Sequence, residues 1–342
     1  MKTDLLPTHT AALFAEAVRR SVEVLQAGEM VALPTETVYG LAANALDAEA
    51  VARVFEVKAR PAHNPVIVHV ASIEMAQRCA ALWPAVADKL AAAFWPGPLT
   101  LVLPRAAEIP DIVTAGGSTV GIRWASHPFL QAVIRACGFP LAAPSANPAN
   151  QLSPTSAEHV RKGLEGKIPL IIDGGQCQVG IESTVLDLVH SPFRILRPGM
   201  IPVERFRAIL AGTEVQGSIQ AVREETNETS PARSPGQLPK HYAPKARLLV
   251  LGWTDTADLR RQLASLQVST SATRIIAHTH IPDSGGFSEV SVIPCDAEAF
   301  ARGIYAELHN ADAAGAETIV VEALPDEEAW QGLADRLRRA AR

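Results

Sequence analysis

Four cysteines are all that this chain of 342 residues carries, Cys79, Cys137, Cys177 and Cys295, and no two stand in a C-x-x-C spacing. That excludes a disulfide framework and a structural zinc site and leaves them as small buried hydrophobes. Lysine is scarce too, with seven in the chain, and only Lys2 is followed by Ser or Thr, so there is no Walker A loop. A G-x-G-x-x-G loop, an H-E-x-x-H helix and a G-x-S-x-G elbow are equally missing, which removes the common dinucleotide, zinc-protease and hydrolase signatures. The long uncharged stretch 136–157 is broken by Pro140, Pro144, Pro148 and Pro154. No membrane-spanning helix is expected there. The N-terminal MKTDLLPTHT has no apolar signal core, so the expected location is cytoplasmic.

What is present is ample core material: 48% hydrophobic and 20% charged residues, with a net charge of −5. At this length two domains are expected. Residues 246–342 hold 9 Arg and no Lys against 14 acidic residues, leaving 22 against 22 in residues 1–245. Neither part has the basic excess that drives binding to a run of phosphates, so stable nucleic-acid binding is not expected.

Apolar spacing at Leu13, Val18, Val22 and Leu25 predicts a first helix ending near Gly28. Strands are predicted at 30–34, 65–70, 99–103, 119–124, 140–143, 169–173, 184–189 and 193–197. Helices fall between several of them, with Asp47 as a cap, Pro128 at a first helical position, and Thr155 with Glu158 as a capping box. This interleaving means an α/β sheet, with some antiparallel pairing among the closely spaced last strands. Periodicity fails between about 213 and 237, a linker composition. Beyond it, strands at 248–252, 273–278, 290–294 and 318–324 and helices near 256–266, 296–310 and 326–340 predict a small Rossmann-like three-layer unit.

Three polar clusters stand at strand ends, where open α/β sheets place their ligands. PTETVYGLAAN (34–44) follows a strand with a hydroxyl-rich turn, though Thr35 and Thr37 could equally serve the turn's own backbone. In KARPAHNPVIVHV (58–70), Lys58 and Arg60 can point at one anion, while His69 interrupts an apolar strand. The third cluster runs from TVGIRW (119–124) through LAAPSAN (141–147) to QLSPT (151–155). Arg123 in it requires an anionic partner, protein or ligand. GIESTVLDL (180–188) and RILRPG (194–199) add Ser183 and Arg197 at strand ends. Cations and hydroxyls without a nucleophile or a metal cage suit electrostatic positioning of a polyanion.

Taken jointly, PTET-x-YGL, K-x-R-P-x-x-x-P-x-x-x-H, S-A-N and E-S-T-V resemble the threonylcarbamoyl-AMP synthase family, in the long form with an additional C-terminal domain. SPGQLPKHYAP (234–244) resembles that form's linker signature, with Gln237 where Met is more usual. The resemblance implies a YrdC-like twisted mixed sheet with flanking helices at 1–212, a linker acting as an active-site lid at 213–245, and a smaller Rossmann-like domain at 246–342. It also implies the reaction: L-threonine, bicarbonate or CO2, and ATP give threonylcarbamoyl-AMP and pyrophosphate, a nucleotidyl transfer. The adenylate would then serve a separate transferase complex that modifies tRNA adenosine next to the anticodon. By the same resemblance Thr35, His69, Arg123, Ala143 and Ser183 would bind threonine. Lys58, Arg60, Asn64, Thr119, Ser145, Asn147, Ser153, Arg197 and Tyr242 would hold ATP, with Lys58 and Arg60 as the catalytic cations. Mg2+ would come with ATP and need no protein cage.

Two other readings fit a chain of this fold. One is an RNA-binding or ribosome-associated factor without catalysis, which the scarcity of lysine disfavours. The other is adenylate formation from carbamoyl phosphate, whose related proteins carry acylphosphatase and zinc-finger modules not legible here.

Overall fold

The computed structural model describes residues 1–212, 219–221 and 242–341. They form two compact units, one of 1–149, 153–212 and 219–221, the other of 150–152 and 242–341.

The first unit strings together β1 (Asp4–Pro7), α1 (Ala11–Gln26), β2 (Val31–Leu33), β3 (Gly40–Asn44), α2 (Ala48–Lys58), β4 (Ile67–His69), α3 (Ile73–Cys79), α4 (Ala85–Phe94) and β5 (Leu99–Pro104). Next come β6 (Thr119–Arg123), α5 (Pro128–Cys137), β7 (Leu141–Ala142), α6 (Ala157–Leu164), β8 (Leu170–Asp173), β9 (Thr184–Asp187), β10 (Phe193–Arg197), α7 (Val203–Ile209) and β11 (Ile219–Ala221). The strand order is β1-β8-β2-β3-β7-β4-β6-β5-β9-β10-β11. Pairing is mixed: β4 runs parallel to β6 and antiparallel to β7, and β9 pairs antiparallel with β10. Several helices start where a side chain can take up their free N–H groups. Asp47 accepts from the N–H of Glu49 and Ala50 at the head of α2, and Thr10 caps α1.

The second unit is a four-stranded parallel sheet, β12 (Arg247–Leu251), β13 (Thr273–Ala277), β14 (Glu289–Val292) and β15 (Thr318–Glu322), in the order β12-β15-β13-β14. It carries α8 (Thr256–Ser265), α9 (Ala297–Ala313) and α10 (Gln331–Ala340). At its strand ends Glu322 accepts from the backbone N–H groups of His278, Thr279 and His280.

Several expectations need correction. Ser156, not Thr155, caps α6, because the Thr155 hydroxyl is drawn inward to His159 Nδ1 and Gln176 Nε2. Cys79 and Cys177 are buried as expected, but Cys137 is half-buried and Cys295 exposed. The final helix begins at Gln331, after a single 3-10 turn, rather than at 326. Residues 219–221 of the presumed linker form β11, parallel to β10. Most of the expected linker, including Gln237, lies outside the described residues. Strands β1 and β3 and helices α3, α4 and α7 were not expected, being short and only weakly periodic.

Candidate active site

Strand register places four of the expected residues, His69, Thr119, Arg123 and Ala143, on one face of the sheet. His69 pairs with Arg123 and Ile67 with Gly121 across β4 and β6. Val68 pairs with Ala142, and Ala143 N–H donates to Ile67 at 3.0 Å, which extends β7 by a residue. Val68, Val120, Ile122, Ala142, Leu101 and Leu103 all enter one core cluster. Side chains alternate along a strand and agree in direction across a pair. The intervening His69, Thr119, Gly121, Arg123, Thr100 and Ala143 therefore take the opposite face. A Cβ on Gly121 would meet Thr100 Cγ2 at 3.2 Å and Ile67 Cγ1 at 3.6 Å, so those two neighbours lie on the same side.

Arg123 stands at one end of this face, 4% exposed, with Nη2 2.7 Å from Glu36 Oε1. The contact joins opposite charges but is not aligned as a hydrogen bond. Arg123 Nη2 and both Glu36 carboxylate oxygens have no hydrogen-bond partner among the described residues. The same holds for Nδ1 of His69, the residue paired with Arg123. Burial and the adjacent Arg123 push the His69 imidazole down to about 3, against a backbone hydrogen bond with Ala143 that works the other way. Thr35 is spent locally: its hydroxyl donates to the Val38 carbonyl at 2.7 Å and accepts from the N–H groups of Thr37 and Val38. Its observed part is to shape the turn that presents Glu36. Ser183 Oγ lies 2.8 Å from Thr100 Oγ1 and accepts from Arg197 Nη2 at 3.1 Å. Arg197 Nε also donates to the Ser183 carbonyl. By the register of β5 on β6, Thr100 sits level with Arg123, so Ser183 joins the same end.

The other cations stand at the opposite end, by the start of β4. Lys58 closes α2, and its buried Nζ donates to the carbonyls of Ser145, at 2.6 Å, and Asn147. Burial, then the nearby Arg60, drives its ammonium well below the usual lysine range. Arg60 donates to Asn64 Oδ1 at 2.8 Å and to the carbonyls of Asn64 and Pro65. Ala59 turns left-handed between Lys58 and Arg60, and each cation is held by carbonyl oxygens of a different loop. Ser145 bridges Gly40 at the edge of β3, where a Cβ on Gly40 would press on Ala143 Cβ at 3.2 Å. Thr119 lies at this end of β6, four residues from Arg123, or roughly 13 Å along the strand.

Ser153 donates to Glu182 Oε1 at 2.5 Å, beside Ser183 in sequence. Tyr242 was expected to cover a nucleotide. It belongs to the second unit, its ring centroid 6.3 Å from that of Tyr305 and 5.2 Å from the Arg336 guanidinium carbon.

Sequence reasoning missed Glu36, Thr100, His127 and Cys177. His127 is lowered by burial even though Glu36 beside it works to raise it; the Cys177 thiol is raised by burial and then by Glu36. For Glu36 a signal existed, since a buried Arg123 demands an anion and Glu36 is the acid inside the hydroxyl-rich PTET turn. The others announce themselves only through pairing partners far away in sequence.

A family model described as Telomere recombination matches residues 23–199, and one described as the C-terminal domain of threonylcarbamoyl-AMP synthase matches 201–342. The chain is 38% identical over 327 residues to a threonylcarbamoyl-AMP synthase of Pyrococcus abyssi, covering 95% of this chain and 94% of that protein. It is 37% identical over 329 residues to one of Bacillus subtilis, covering 95% and 92%. A solved structure of P. abyssi Sua5 complexed with L-threonine is similar at a TM-score of 0.88 and 35% identity, covering 100% of this chain and 98% of that one. The chain belongs to the threonylcarbamoyl-AMP synthase family.

Proposed function

We propose that this protein is a nucleotidyltransferase that forms threonylcarbamoyl-AMP and pyrophosphate from L-threonine, bicarbonate or CO2, and ATP. The observation that carries the reading is the two-ended polar face. Arg123, His69, Ala143 and Ser183 at one end suit a small amino acid, to which Thr35 is assigned by family resemblance, and Lys58, Arg60, Asn64, Thr119, Ser145 and Asn147 at the other suit a triphosphate. The threonine-bound relative supports the first assignment. In this reading the threonine nitrogen adds to CO2, and the carbamate oxygen so formed attacks the α-phosphorus while pyrophosphate leaves. Charge builds on phosphate oxygens, so fixed cations and exclusion of water are what the chain contributes. Lys58, held below its usual range in a carbonyl cage, would regain full charge as an anion arrives. Mg2+ would come with ATP and supply further charge stabilisation at the phosphates that Lys58 and Arg60 would hold. The cations, hydroxyls and amides gathered here fit the phosphates rather than the bare ion.

Ser153, Arg197 and Tyr242 are assigned to ATP by family resemblance. The product would pass to a tRNA threonylcarbamoyl transferase complex in the cytoplasm; among the described residues no helix is long and apolar enough to cross a membrane. The direct test is pyrophosphate release from ATP that depends on both L-threonine and bicarbonate, with the adenylate identified by mass. ATP turnover indifferent to threonine rejects the reading.

A further inference from the structure

An α-amino acid arrives as a zwitterion. Its nitrogen must give up a proton before the lone pair can bond to carbon. Arg123 answers the carboxylate half of such a substrate, and the fold places a carboxylate against that same guanidinium. Glu36 is 6% exposed, its Oε1 lies 2.7 Å from Arg123 Nη2, and neither of its oxygens accepts a hydrogen bond from the described residues. An ionised carboxylate offers about four acceptor positions, and burying all of them unmet is costly. An ammonium brings three donors.

The groups facing Glu36 do not meet this need. The Thr35 hydroxyl is committed to its own turn. Cys177, from the loop after β8, is kept a neutral thiol by burial, and burial holds the His127 imidazole, ahead of α5, towards its neutral form. Arg123 supplies the positive charge, without hydrogen-bond alignment. The buried pair is thus the charge complement of a zwitterion, closed upon itself.

We propose that Glu36 is the counter-ion and proton acceptor for the amine of the threonine substrate, an inference that rests on the synthase reading above. An ammonium N–H bond breaks, its proton passes to a Glu36 oxygen and its electron pair stays on nitrogen. That pair forms the N–C bond to CO2 while one C–O π pair retreats to oxygen, and a second amine proton leaves to water, giving the carbamate.

The test uses the full chain with Glu36→Gln and Glu36→Asp, titrated with L-threonine and with 3-hydroxybutyrate, the same skeleton without the amine. ATP binding and thermal melting check the fold. Glu36→Gln should weaken L-threonine about tenfold or more while leaving 3-hydroxybutyrate within about twofold. Its kcat should fall about a hundredfold near neutral pH and recover relative to wild type as pH rises towards the amine's own pKa, with Glu36→Asp intermediate. Unchanged or tighter L-threonine binding by Glu36→Gln overturns the proposal, since a mere plug on Arg123 would release the substrate site when neutralised. A parallel drop in kcat at every pH overturns it as well. Should Glu36→Gln fail to fold, the wild type decides: equal affinity for L-threonine and 3-hydroxybutyrate overturns the proposal, and a marked preference for L-threonine upholds it. Wild-type protein that binds no L-threonine at all rejects the synthase reading instead.

Discussion

A guanidinium and an imidazole share one end of the polar face, and each makes a separate demand. Arg123 next to Glu36 costs desolvation on both sides and is repaid only by good geometry, which the unaligned 2.7 Å contact does not supply. A substrate carboxylate that can meet the guanidinium with two hydrogen bonds repays more. Arg123→Ala is therefore expected to weaken L-threonine by about 3 kcal/mol, or roughly a hundredfold, with ATP affinity nearly unchanged. Calorimetric titration of each ligand checks this, and an unaltered threonine affinity removes Arg123 from the role. His69 makes the second demand. Its folded pKa of about 3 lies below the ordinary 6.5, so the unfolded chain takes up this proton first. Stability present above pH 6.5 is lost as pH falls towards 3, at up to about 1.4 kcal/mol per pH unit. His69→Gln should flatten that acid limb, read from urea unfolding at a series of pH values between neutral and mildly acidic.

Among the elements, β9 and β10 are locked at the point where Ser183 enters the site. A Cβ on Gly199 would lie 2.5 Å from Thr184 N and 2.7 Å from its Oγ1. These are backbone and near-backbone atoms that cannot swing aside. Gly199→Ala is expected to cost about 1–3 kcal/mol, seen as a lower Tm, and to raise KM for threonine by displacing Ser183. A variant with wild-type Tm and KM would show that the two strands yield more easily than their pairing indicates. At this scale the longer elements were legible: α1, α2, α5, β5, β6 and β10 stand close to their expected positions because period and caps agree. The unexpected β3 is apolar at four of its five positions, with no alternation to distinguish strand from loop, and it is identified only by pairing with β2 and β7.

For the whole molecule, the family resemblance implies that residues beyond 212 assist catalysis. A chain ending at Gly212 keeps β1 to β10 and every proposed site residue except Tyr242. It is expected to bind L-threonine with near wild-type affinity yet release pyrophosphate much more slowly, in the same coupled assay that tests the function. Full activity of the shortened chain would separate Tyr242 and the second unit from the chemistry. The acidic excess of 246–342, 14 acidic residues against 9 Arg, favours solubility and opposes contact with a polyanion such as tRNA.

Residue types, their order and their spacing were enough to specify an α/β protein of two parts, its capped helices, its want of a glycine cradle, and four motifs that together mark the family. These are local properties, written in period, capping chemistry and short strings. Only the tertiary structure decided that Lys58 reaches the carbonyls of Ser145 and Asn147 and that Glu36 is the acid brought against Arg123. Each of those outcomes depends on strand register and on which loops cross the sheet. Register is set by packing across the whole sheet, so residues distant along the chain become neighbours by a rule that no local stretch contains.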